Sequence, residues 1–112
     1  MAERPQTEWE NLIVAEVVQA LLGSITPNMK AISIEMGAGR DLVTVHFALE
    51  TQTKEEQGEI EEFVEELDVL LGGETRIETD VWVGPEWWSS DWQGRSARLV
   101  YAAKAPGQAH PD

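Results

Sequence analysis

Met29-Lys30-Ala31-Ile32-Ser33-Ile34-Glu35-Met36-Gly37-Ala38-Gly39-Arg40-Asp41-Leu42-Val43-Thr44-Val45-His46-Phe47-Ala48-Leu49-Glu50 is the stretch on which the fold turns. Ile32, Ile34 and Met36 alternate with Ser33 and Glu35, and Val43, Val45, Phe47 and Leu49 alternate with Thr44 and His46. An apolar residue at every second position marks a strand with one buried face. Gly37-Ala38-Gly39-Arg40-Asp41 between the two runs supplies glycines for the positive φ angles of a short hairpin connection. Two antiparallel neighbours follow, with Thr44, His46 and Glu50 expected on the outward side.

On either side of this hairpin the period changes to that of a helix. Upstream, Thr7 and Glu10 have the spacing of a capping box. Trp9, Leu12, Ile13, Val17, Ala20 and Leu21 then recur at three- and four-residue steps until Gly23 and Pro27 stop them. This predicts a helix from about Glu8 to Leu22. Downstream, Thr53 and Glu56 repeat the capping spacing, and Ile60, Phe63, Val64, Leu67, Leu70 and Leu71 form a second stripe closed by Gly72-Gly73. A third strand is expected over Thr75 to Val83 and a fourth over about Ala97 to Ala103. The order α-β-β-α-β-β reads as an α+β domain, with two helices packed on one face of a mostly antiparallel four-stranded sheet. One domain is expected over residues 1–104. Residues 105–112, with two prolines and a glycine, read as a disordered tail.

Charge narrows the class of function. The chain has 112 residues, 42% of them apolar, which is enough for a core. It carries 21 acidic against 8 basic side chains, a formal charge of −13. A field of that sign repels nucleic acid and anionic membranes and draws in cationic partners, although solubility alone also explains it. The chain has no cysteine, no apolar leader and no membrane-length apolar run, so a cytoplasmic protein is expected.

Two features stand out as binding candidates. Glu55, Glu59, Glu62 and Glu66 fall on one face of the second helix, opposite the Phe63 stripe. Like charges at these steps cost roughly 0.2–0.5 kcal/mol per pair, which the apolar stripe offsets. The other candidate is the loop Gly84-Pro85-Glu86-Trp87-Trp88-Ser89-Ser90-Asp91-Trp92, which holds three of the five tryptophans. One or two of these rings are expected to fold back over the sheet. The rest, beside Glu86 and Asp91, suit Arg and Lys by salt bridge and cation–π contact. Catalysis has little to rest on. His46 is expected at a strand surface and His110 lies in the tail. Serine elbow, phosphate loop and metal-spaced His pair are all lacking. The reading is a protein-binding module that is no enzyme and needs no cofactor or metal, with a homo-oligomer joined through the tryptophan loop as the alternative.

One segment is more specific: Ala20-Leu21-Leu22-Gly23-Ser24-Ile25-Thr26-Pro27-Asn28-Met29-Lys30-Ala31-Ile32-Ser33. It resembles a family of small bacterial immunity-type proteins with the pattern A-L-L-G-x-I-[ST]-P-N-x-[RK]-A-[IV]-S, often encoded beside polymorphic or contact-dependent growth-inhibition toxins. The resemblance runs from about Gln19 to Leu99-Val100-Tyr101 and Lys104, and the tryptophan-rich loop has no match in it. It implies an inhibitor that binds and occludes a cognate toxin. The acidic charge suits a toxin with a basic surface, such as a nuclease. Glu55, Glu59, Glu62 and Glu66 would then steer, while Trp87, Trp88 and Trp92 would anchor.

Overall fold

The computed structural model describes residues 6–37, 39, 41–89 and 91–103. Helix α1 spans Gln6–Leu21, strands β1 and β2 span Met29–Met36 and Leu42–Leu49, and helix α2 spans Lys54–Leu70. Strand β3 (Arg76–Val83) and strand β4 (Arg98–Ala102) follow, with short 3₁₀ turns at Trp87–Ser89 and Gln93–Ser96 between them. The order is the α-β-β-α-β-β expected of an α+β domain. Helix α1 begins at Gln6, so Thr7 stands within it and not ahead of it as a cap. The expected tail, His110 and part of the β1–β2 connection lie outside the described residues.

The sheet order is β3-β2-β1-β4. Strand β1 pairs antiparallel with β2 and β4, whereas β2 and β3 run parallel. Parallel neighbours need a crossover, and α2 supplies it. A register shift between Met29 and Ala31 lets Met29 and Ile32, three residues apart, share one face.

That face carries the core. Ile32, Ile34, Val43, Val45, Phe47 and Leu49 meet Ile13 and Val17 of α1 and Ile60, Phe63 and Leu67 of α2. Phe47 and Phe63 pack edge to face, with centroids 5.7 Å apart. The two helices thus cover one side of the sheet, as the two apolar stripes require.

The opposite face is covered by the chain's own segment between β3 and β4, with tryptophan rings folded back over the sheet as expected. Trp92 packs on Ala31 and Ala48, with Trp82 and Trp87 against them, in a second small core. Gly94 lies so close to the sheet that a Cβ there would stand 2.6 Å from the Cβ of His46. His46 is accordingly 3% exposed, and the surface position expected of it is corrected to an interior one. Strand alternation placed it on the correct side, but a distant segment then closed over it.

Candidate functional site

The residues before β1 and after β2 meet at one corner. Thr53 caps α2, its hydroxyl accepting the Glu55 N–H at 3.2 Å. Glu56 accepts the Thr53 N–H at 3.0 Å and also the Thr53 hydroxyl, completing the capping box. Its other oxygen accepts the Thr26 hydroxyl at 3.0 Å, across a separation of 30 residues. Glu56 is fully buried. Hydrogen bonds, the Thr53 hydroxyl's foremost, lower its pKa to about 2 although burial raises it, with Thr26 and Asn28 contributing. The Thr26-Pro27-Asn28 turn is thereby tied to the start of α2. The helical spacing foretold the cap, but no local signal linked Glu56 to Thr26.

The four glutamates of the proposed stripe share a side of α2. Glu55, Glu62 and Glu66 are exposed and Glu59 is half-buried. Among the described residues, no salt bridge neutralises any of them. Glu62 and Glu66 border a hollow with Gln19, Leu22 and Ser24 at the end of α1. The stripe therefore adds to a negative surface on the helical side of the sheet.

The tryptophan loop lies on the other side, so the two candidate surfaces do not adjoin across the sheet face. Its rings have separate roles. Trp92 is 2% exposed and belongs to the interior, beyond a partner's reach in this fold. It was offered above as an anchor; burial on two alanines, where a large ring fills the space that small side chains leave, makes it core instead. Trp87 is half-buried and stacks edge to face on both Trp92 and Trp88, at 5.7 and 5.9 Å. Trp88 is 37% exposed and, with Glu50, Pro85 and Glu86, lines a hollow of about 300 Å³. Asp91, three residues further on, is exposed. Lys30 already meets Glu50 at 3.4 Å, so a lysine or arginine side chain at the Trp88 ring would gain cation–π contact there and charge contact with Glu86. Glu50 had no part in the sequence-based candidates, because nothing in the chain's order places it beside Trp88.

His46 is held between two carboxylates. Its Nδ1 lies 3.1 Å from Asp80 Oδ2 and its Nε2 lies 3.0 Å from Glu35 Oε1, one carboxylate on each neighbouring strand. Among the described residues no group of three or more His, Asp and Glu side chains is placed to hold a metal ion. Nor is any described helix long and apolar enough to cross a membrane.

No curated protein is significantly similar to the chain. A family model, described as MafI2 immunity protein, matches residues 10–83. That span runs from within α1 to the end of β3, takes in the Glu56 corner, and ends before the tryptophan loop. It is well over half the sequence, and the chain belongs to the MafI2 immunity protein family.

Proposed function

We propose that this chain is an immunity-type inhibitor, not an enzyme, that binds a cognate toxin domain with a basic surface, a nuclease, and blocks it by occlusion in the cytoplasm. Membership of an immunity protein family carries the reading. The charge of −13 supports the choice of a basic target, since a nuclease must itself attract a polyanion. Glu55, Glu59, Glu62 and Glu66 act at long range, raising the rate of encounter. Trp88, with Glu86 and the Lys30-paired Glu50 lining the same hollow, takes up a lysine or arginine side chain of the toxin, and Asp91 adds to the negative charge of the loop. Trp87 supports the Trp88 ring from below, and Trp92 is left out of the contact.

Co-expression tests the proposal. Cells producing the cognate toxin domain should grow only when the chain is produced with it. Trp88→Ala should weaken binding by roughly 30-fold, the scale of an interface hot spot. Growth arrest that the unchanged chain does not relieve would remove the immunity reading.

A further inference from the structure

Strand β3 is at one edge of the sheet, and among the described residues no strand pairs with its outer side. Its pairing with β2 shows which backbone groups face outward. The Arg76 N–H donates to Asp41 O at 2.8 Å and the Gly84 N–H to Leu49 O at 3.0 Å. Alternation between these ends turns Glu78, Asp80 and Trp82 toward β2 as well. The N–H and C=O groups of Ile77, Thr79, Val81 and Val83 therefore point off the edge. Such a row is a template for another strand, and chains usually blunt it with proline, a bulge or charged side chains, lysine above all. Strand β3 has no proline, bulge or lysine, its acids Glu78 and Asp80 are paired with Arg76 and His46, and it stays in register from Arg76 to Val83. Its one cation, Arg76, is held by Glu78 at 2.6 Å.

The surroundings of this edge select its occupant. A hollow of about 490 Å³ opens at the start of this edge, with Val64 and Ile77 as apolar lining, Glu65, Asp68 and Glu74 as acids, and Arg76, paired with Glu78, at its wall. The opposite edge, β4, is shorter, breaks register against β1 and carries Arg98. We propose that the open edge of β3 receives an extended, basic segment of the toxin, which adds to the sheet as a fifth strand. Main-chain hydrogen bonds hold it, apolar side chains meet Val64 and Ile77, and lysines or arginines meet Glu65, Asp68 and Glu74. A second copy of this chain fits less well, because it would bring the same carboxylates together in a dimer of twice the −13 charge.

This inference rests on the immunity reading, and the experiment separates the two. Thr79→Pro removes one outward N–H and places a ring in the path of an added strand, while sparing the N–H groups that serve β2. Titration of the full-length variant with the cognate toxin domain should show binding weakened by roughly 30-fold or more. In the unchanged chain, amide exchange at Ile77, Thr79, Val81 and Val83 should slow when the toxin domain is added. That second measurement decides the matter should the proline variant fold poorly. Equal binding by a folded Thr79→Pro chain, or unchanged exchange at those four amides in the complex, overturns the edge contact and leaves the immunity reading intact. A dimer of the free chain that Thr79→Pro dissociates assigns the edge to a second copy and also overturns it. If the unchanged chain does not bind the toxin domain, both proposals fall.

Discussion

At the scale of single residues, Glu56 is the one fully buried carboxylate among the described residues. It satisfies the start of α2 and ties down the turn that leads into β1. Glu56→Gln should lower stability by about 1–2 kcal/mol, the cost of a lost cap and of a weakened buried hydrogen bond. The pH dependence has a definite sign. A carboxylate whose folded pKa is lowered from 4.5 to about 2 contributes stability that is fully present above the unfolded value. That contribution disappears as pH falls through the folded value. Urea midpoints of Glu56→Gln and the unchanged chain should therefore differ at neutral pH and converge as pH falls from 4.5 toward about 2. The tryptophans give a second contrast. Trp92→Ala should cost about 3–5 kcal/mol, because it empties a buried site, whereas Trp88→Ala should change the unfolding midpoint little. Composition raised the question of which rings are buried; only the position of Ala31 and Ala48 beneath Trp92 answered it.

The elements were largely legible in advance, because periodicity and capping are local. Both helices and all four strands appear close to where apolar spacing put them. Their arrangement was less legible. A strand following a helix pairs equally well in principle with either edge of a hairpin, and nothing within Arg76–Val83 states that β2 is its neighbour. Length and burial of the crossover decide it, since α2 must lay its Phe63 stripe on the same face as α1. The segment between β3 and β4 was the least legible. Gly94 has no turn motif around it, yet its missing side chain lets that segment lie against Ser33 and His46. Gly94→Ala should destabilise the fold by about 1–3 kcal/mol through overpacking, and should lift Trp92 toward solvent. A red-shifted tryptophan emission together with a lower thermal midpoint would show this; an unchanged spectrum would mean that the segment tolerates the methyl group.

For the whole molecule, net charge sets the terms. A charge of −13 on 112 residues opposes compaction, so added salt should stabilise the free chain. Raising ionic strength from about 0.02 to about 0.5 M should raise the thermal midpoint by a few degrees, because the Debye length shrinks to several Å. The same salt should slow association with a basic toxin while barely changing dissociation, a split that stopped-flow measurement resolves. An association rate indifferent to salt would count against the steering role given to Glu55, Glu59, Glu62 and Glu66. Local order along the chain was enough to establish the α+β class, the cap of α2, the apolar stripes, the acidic field and the likeness to immunity proteins. Each of these depends on residues a few positions apart or on a simple sum. Tertiary structure alone decided that β3 lies parallel to β2 at one end of the sheet, that Trp92 is core while Trp88 faces out beside Glu50, and that Glu56 holds Thr26. Those facts join residues that are distant in sequence, and they follow from which surfaces the folded chain brings into contact.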